Sequence, residues 1–259
     1  MGFLHEGHRC PGGIFTRVGK AMLSLLVGAG AGVVMIYALE ERPVPALLLA
    51  GAALGAHALT PNDLQPKTIE ELKRAGLVTT EAPVPAFRWA YANKRPMRPE
   101  RTMVESFEAG PQGLSAVVRD IRYRDGKTDR SEAISARGLV RVQPSDETIA
   151  ARVEGLTVPP KTGDHFLIIL VRDGTPITER CTVGEKSEAK TLFADLPGQM
   201  LGIECLGDAT YAGFKVKARS KVVYLEAIGV FFNLVDVLDT PLGRYENANR
   251  LTEFQLLKP

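Results

Sequence analysis

Residues 21–39 read AMLSLLVGAGAGVVMIYAL, and residues 46–59 read ALLLAGAALGAHAL. The first run has nineteen residues without a charge, close to the ~20 that a helix needs to cross a hydrocarbon core of about 30 Å. The second run has sixteen residues when Val44 is included, and these reach only about 24 Å at ~1.5 Å per residue. The sequence therefore predicts an N-terminal transmembrane helical hairpin of two helices over residues 21–60.

Each apolar run carries one pair of glycines four residues apart, Gly28 with Gly32 and Gly51 with Gly55. Such a pair leaves bare backbone on one helix face, so that a second helix can approach closely. The four glycines are the predicted helix-packing residues. The same faces offer a contact for a homo-oligomer.

The basic residues that flank the two runs indicate an orientation. Three precede the first run, one lies in the link and three follow the second run: Arg9, Arg17 and Lys20, then Arg42, then Lys67, Lys73 and Arg74. Since Lys and Arg concentrate on the cytoplasmic side, the hairpin predicts a bacterial inner-membrane protein with a cytoplasmic soluble domain. A periplasmic domain is the alternative if only the first run spans the membrane.

Two cysteines in the C-terminal part bear on this choice. Cys181 and Cys205 would form a disulfide if the domain were exported to an oxidising compartment. In the cytoplasm they would stay reduced, and buried free thiols are common. The charge pattern favours reduced thiols.

The rest of the chain divides at about residue 101. Residues 1–20 form a tail, and residues 61–101 combine a short helix near Thr68–Glu71 with a linker containing Pro83, Pro85, Pro96 and Pro99, because prolines interrupt regular structure. Residues 102–259 have the pattern of a folded domain.

The linker contains a stretch rich in cations and aromatic rings. Its candidate lipid or partner contacts are Arg88, Trp89, Tyr91, Lys94, Arg95, Arg98 and Arg101. Trp, Tyr and basic side chains suit an anionic membrane surface, and the same mixture suits single-stranded nucleic acid or docking onto the following domain. Beside a membrane span, the lipid bilayer is the expected partner. With a net charge of only +2, nucleic acid is not expected.

Hydrophobic patterning predicts a mixed α+β soluble domain built on an antiparallel sheet. Strands are predicted over 114–123, 133–142, 165–171, 177–183, 200–206, 213–219 and 251–257, with Asp125-Gly126 in the first hairpin. Helices are predicted from Pro144 to Leu156 and from Ser187 to Leu196, where apolar residues recur at helical spacing. Residues 222–238 are predicted as strand first and helix later.

The sequence offers little catalytic chemistry. His165, beside Asp164, is the single histidine of the C-terminal domain, and the nucleophile-elbow and phosphate-loop motifs are missing from the sequence. No cofactor or metal site is predicted. We therefore expect a membrane-anchored, non-enzymatic binding or assembly protein with an unidentified protein partner. The alternative is a membrane-tethered hydrolase or transferase with a site near His165.

Overall fold

The structure is a computed structural model that describes residues 59–79, 83–145, 151–172, 175–211, 214–241 and 243–257. The described residues form one α-helix, α1 (Pro66–Arg74), and twelve strands. The strands are β1 (Phe87–Lys94), β2 (Arg101–Phe107), β3 (Leu114–Arg122), β4 (Thr128–Ala136), β5 (Val140–Val142), β6 (Ala151–Glu154), β7 (His165–Arg172), β8 (Thr175–Glu188), β9 (Gln199–Tyr211), β10 (Phe214–Leu225), β11 (Val230–Thr240) and β12 (Gly243–Leu256).

The twelve strands form one antiparallel sheet with the order β5-β4-β3-β2-β1-β12-β11-β10-β9-β8-β7-β6. Every pairing between described strands joins neighbours in sequence, except that of β1 with β12. This pairing joins the first and last strands in the middle of the sheet. The two edge strands, β5 and β6, are consecutive in the chain.

The sheet is folded over on itself. One hydrophobic cluster combines apolar side chains of β3–β5 with those of β6–β11 and of α1. Because β5 and β6 are the two edges of the strand order, a shared core requires the two ends of the sheet to face each other. A second cluster packs the aromatic side chains of β1 and β2 against β10–β12.

The turn between β4 and β5 is locked against the turn between β10 and β11. Phe231 N donates to Arg137 O at 2.7 Å, and the Arg137 side chain, only 1% exposed, donates to Gly229 O and to Thr79 Oγ1. A Cβ on Gly138 would lie 2.4 Å from Phe231 O. The contact therefore requires glycine at position 138.

Helix α1 confirms the helix predicted near Thr68–Glu71, but it begins earlier. Pro66 occupies its first turn, where a missing N–H costs nothing, and Thr68 is buried inside the helix. Leu72 is fully buried in the first cluster. The helix thus contributes to the core that holds the two ends of the sheet together.

The predicted fold class, a transmembrane helical hairpin followed by a mixed α+β domain, is wrong. The described domain is almost entirely β-structure. The hairpin predicted for 21–60 falls outside the described residues except Leu59 and Thr60. In the part of the chain that the structure describes, no helix is long and apolar enough to cross a membrane.

Three predicted helical segments are strands or turns where they are described. Residues 151–154 form β6; an apolar spacing of four fits a strand as well as a helix, since four is a multiple of two. Residues 189–191 form a single turn of 3-10 helix, and the apolar residues around it cover the second cluster. Residues 222–238, predicted as strand first and helix later, belong to the end of β10, the turn after it and β11, so the later helix is wrong.

Candidate functional site

Alternate residues of β1 place three aromatic rings and one amide on a single face of the sheet. Phe87, Trp89, Tyr91 and Asn93 are all buried, since successive side chains of a strand point to opposite faces. In the register with β2, Trp89 lies opposite Glu105, and Asn93 lies opposite Arg101. The face therefore changes from apolar to polar toward the end of β1.

Glu105 is the centre of this polar region. Its side chain is 1% exposed, and it accepts hydrogen bonds from Trp89 Nε1 at 2.8 Å, Tyr91 Oη at 2.8 Å, Arg119 Nε at 2.7 Å and Arg141 Nη2 at 2.7 Å. A buried carboxylate is stable only when charge partners and hydrogen bonds replace its water. Here two arginines and two aromatic donors do so.

The same surroundings affect Tyr91. Burial raises the pKa of its phenol far above the ordinary value, and the negative charge of Glu105 raises it further. The phenol consequently stays protonated and keeps donating to the carboxylate. Tyr91 thus acts as a fixed hydrogen-bond donor.

Asparagine side chains continue the polar surface from β1 across β12 to β11. Asn93, 4% exposed, donates from Nδ2 to Asn247 Oδ1 and to Asn249 Oδ1, each at 2.7 Å, and accepts from Arg101 Nε at 3.0 Å. Asn249 Nδ2 donates to Asn233 O at 2.8 Å. These carboxamides form one connected network.

Asp236 closes the network on β11. Asn233 Nδ2 donates to Asp236 Oδ1 at 2.7 Å, and Asn247 Nδ2 donates to Asp236 Oδ2 at 3.3 Å. The carbonyl oxygen of Asn233, Oδ1, is buried and has no hydrogen-bond partner in the structure. Since a buried polar atom normally has a partner, this oxygen is an unsatisfied acceptor within the network.

These groups line a cavity of about 490 Å³. Its wall combines the carboxamides with Arg95, Arg101, Arg119 and Arg141, and with the carboxylates of Glu105 and Asp236. Four cations against two anions leave an excess of two positive charges. Pockets of 300–1,000 Å³ with a few convergent polar groups are typical small-molecule sites.

Comparison with known proteins finds no match. No family model matches the chain, and no curated protein or solved structure is significantly similar to it.

The predicted lipid or partner contacts separate into three groups by burial. Trp89 and Tyr91 are buried and bonded to Glu105, so they are not available at the surface. Lys94, Arg95 and Arg98 are exposed beside the turn that follows β1, whereas Arg88 and Arg101 are partly buried. The predicted helix-packing residues Gly28, Gly32, Gly51 and Gly55 lie outside the described residues.

The two cysteines of the domain are bonded to each other. Cys181 and Cys205 are directly opposite on β8 and β9, with their Cα atoms 4.0 Å apart, and form a disulfide. The structure thus contains the bridge that the sequence allowed for an exported domain, instead of the two reduced thiols favoured by the charge pattern.

His165, the residue named for the alternative catalytic site, lies at the surface beside a turn. His165 is exposed and its Nδ1 lies 3.1 Å from Thr182 Oγ1. The neighbouring Asp164 accepts from Lys161 N and Thr157 Oγ1, and these bonds lower the pKa of its carboxyl group. Asp164 therefore holds a turn. Within the described ranges, no three His, Cys, Asp or Glu side chains come together as metal ligands.

Sequence reasoning did not find Glu105 or the asparagines. Asn93 is 154 residues from Asn247, so only the β1–β12 register brings them together. One local signal exists in β12, where Asn247 and Asn249 alternate as inward-facing residues of a strand do. Asparagine is more typical of loops and turns than of strands, so this alternation does not suggest a strand.

Proposed function

We propose that the protein is a non-enzymatic binding protein whose cavity holds a small hydroxylated anion, such as an acidic sugar or a sugar phosphate. The observation that carries the proposal is the buried, unpartnered Oδ1 of Asn233, surrounded by other carboxamides. A ligand hydroxyl that donates to this oxygen would satisfy it.

Hydroxyl groups suit the cavity because they both donate and accept. Asn233, Asn247 and Asn249 each use one amide hydrogen in bonds to the protein, although a carboxamide carries two. The second hydrogens can donate to ligand oxygens. Donors and an acceptor on neighbouring strands thus favour a ligand with several hydroxyls.

The charge of the cavity favours a negative ligand. Arg119 and Arg141 share the carboxylate of Glu105, and Arg101 is bonded to a neutral amide. An arginine bonded to a neutral group can still form a charge-assisted, bidentate contact with a carboxylate or phosphate. Arg101 is therefore the proposed anion contact.

The state of the carboxylates supports binding over catalysis. Glu105 accepts four hydrogen bonds, and both oxygens of Asp236 accept from asparagines. A general base needs an oxygen that can reach the proton of a substrate. In this cavity both carboxylates instead position neighbouring side chains.

The disulfide supports the periplasmic alternative for the domain, because such bridges persist in oxidising compartments. The inner-membrane location stays a prediction from the sequence.

Isothermal titration calorimetry of the full chain with glucuronate, glucose 6-phosphate and glucose tests the proposal. Both anions should bind more tightly than glucose, and Arg101→Gln should reduce this preference. Asn233→Ala should weaken binding of glucuronate at least tenfold, whereas Asn62→Ala, an exposed asparagine outside the cavity, should not. Asn247→Ala provides a second cavity variant if Asn233→Ala unfolds. Failure of all three ligands to bind, or equal binding by the wild type and both cavity variants, would refute the proposal.

A further inference from the structure

The turn between β1 and β2 projects one apolar side chain into solvent. Met97 is 98% exposed, and its backbone is in the left-handed region with φ of 54°, which a residue other than glycine adopts only at a cost. Pro96 and Pro99 flank it and restrict the chain. The turn therefore holds Met97 outward at the expense of local backbone energy.

Cations surround this apex. Two shallow cavities of about 580 Å³ and 620 Å³ flank the turn, and Arg95 and Arg98 line both. Arg101 and Arg124 complete one cavity, and Lys94 and Arg244 complete the other. The residues lining the two cavities include six cations and three acids, which are Glu100, Asp125 and Glu246.

Few of these charges neutralise one another. Arg244 pairs with Glu246 at 3.0 Å, whereas Lys94, Arg98 and Arg124 form no ion pair with any residue that the structure describes. The turn thus presents an excess of positive charge around an exposed methionine. We call Lys94, Met97, Arg98 and Arg124 the basic apex.

We propose that the basic apex docks the domain on an anionic lipid surface. Met97 would enter the boundary between headgroups and acyl chains, and the cations would contact lipid phosphates. Apolar insertion combined with electrostatic attraction is the general mode of reversible membrane docking. This inference is independent of the ligand proposed for the cavity.

The structure disfavours single-stranded nucleic acid as the occupant. Binding of single strands needs exposed rings on which bases stack, but Phe87, Trp89 and Tyr91 are buried. Tyr123 lines one of the flanking cavities, yet Lys127 Nζ lies 5.7 Å from its ring centroid and its hydroxyl donates to Asp129. The exposed apolar group at the apex is aliphatic, which suits lipid.

An environment-sensitive fluorophore at position 97 tests the docking in the full chain. The variant carries Met97→Cys and Cys10→Ser, and its nitrobenzoxadiazole label reports the local polarity even if another segment also binds lipid. Emission should shift to shorter wavelength with phosphatidylglycerol vesicles but not with phosphatidylcholine vesicles. Added salt should reverse the shift, because it screens exposed charges. A label at Ser187→Cys, an exposed position outside the apex, should not respond.

Charge reversal supplies matched controls. Replacement of Lys94, Arg98 and Arg124 by Glu should abolish the shift, whereas the same replacement of Lys161, Arg180 and Lys215, which are also exposed, should preserve it. Asn233→Ala should preserve the fluorescence shift as well. Failure of the lipid-docking proposal can therefore be told apart from failure of the cavity proposal. Equal emission with both lipids, or salt-sensitive binding of single-stranded oligonucleotides without lipid binding, would overturn the inference.

Discussion

Trp89 and Glu105 lie directly opposite each other on β1 and β2, and the indole Nε1 donates to Glu105 Oε2 at 2.8 Å. The other oxygen, Oε1, accepts from Tyr91, Arg119 and Arg141. One carboxylate thereby joins side chains of β1, β3 and β5 beneath the cavity. Its removal would leave two cations and two aromatic donors without their acceptor.

Glu105→Ala should lower the free energy of unfolding by about 3–5 kcal/mol, because it leaves partly buried charges uncompensated. Glu105→Gln keeps one hydrogen-bond acceptor, so its free energy of unfolding should lie between those of Glu105→Ala and the wild type. Urea unfolding measures both. Glu204→Ala is the control, since Glu204 pairs with Lys221 on the surface at 3.0 Å and exposed pairs contribute at most about 1 kcal/mol. Equal midpoints for Glu105→Ala and Glu204→Ala would contradict the role of Glu105.

Tyr91 should make the domain sensitive to alkali. Because burial raises the pKa of Tyr91 in the folded state, the unfolded chain loses this proton first as the pH passes the ordinary tyrosine value of about 10. The unfolded state then binds fewer protons than the folded state, so stability falls as pH rises, by up to about 1.4 kcal/mol per pH unit.

Tyr91→Phe should lose about 1 kcal/mol at neutral pH, the typical net value of one hydrogen bond. Between pH 10 and pH 11 the free energy of unfolding should fall by roughly 1 kcal/mol less in this variant than in the wild type. Urea unfolding across this range compares the two. Parallel pH profiles for wild type and variant would show that Tyr91 does not carry the effect.

The disulfide should stabilise β8 and β9. Cys181 and Cys205 are 24 residues apart, and closing a loop of this length restricts the unfolded chain by about 3 kcal/mol. The double variant Cys181→Ala/Cys205→Ala should therefore unfold at lower urea concentration and be insensitive to dithiothreitol. Cys10→Ser should unfold like the wild type. Labelling of both Cys181 and Cys205 in the unreduced, denatured protein would disprove the bridge.

Two glycines distinguish backbone strain from close packing. Gly126 and Gly138 both have positive φ, of 86° and 76°, but a Cβ on Gly126 would meet no atom within 4 Å, whereas one on Gly138 would lie 2.4 Å from Phe231 O. Gly126→Ala should cost about 1–2 kcal/mol for the left-handed backbone. Gly138→Ala should cost at least about 1–3 kcal/mol more for overpacking. Equal losses in thermal unfolding would refute the proposed locking of the two turns.

The strands could be predicted where alternation and turn residues agree. The hairpin around Asp125-Gly126 and the strands predicted at 165–171, 177–183 and 200–206 are confirmed. The single strand predicted over 133–142 is wrong, because the turn between β4 and β5 divides it. The prolines predict a linker, but residues 87–94 of that region form β1, which Pro85 and Pro96 flank without interrupting it. The sequence alone thus does not distinguish a proline that flanks a strand from a proline that interrupts one.

The candidate site could not be predicted in the same way. The alternation of Trp89 and Tyr91 was visible in the sequence, but nothing local shows that their partner is Glu105. Residues adjacent in space are separated here by up to 156 positions, and a shift of one residue in register would turn each of them to the opposite face. The site therefore depends on long-range pairing that periodicity does not encode.

The pairing of β1 with β12 also sets the order in which the cavity can arise. A chain synthesised from its N-terminus can complete each hairpin from β1 to β11 as it emerges, since those pairings join neighbours in sequence. Asn93 nevertheless has no carboxamide partner until Asn247 and Asn249 have been translated and β12 has inserted between β1 and β11. A polypeptide interrupted before β12 would thus have much of the sheet but not the part of the cavity wall that Asn247 and Asn249 supply, so that binding of the proposed ligand would distinguish full-length chains from interrupted ones.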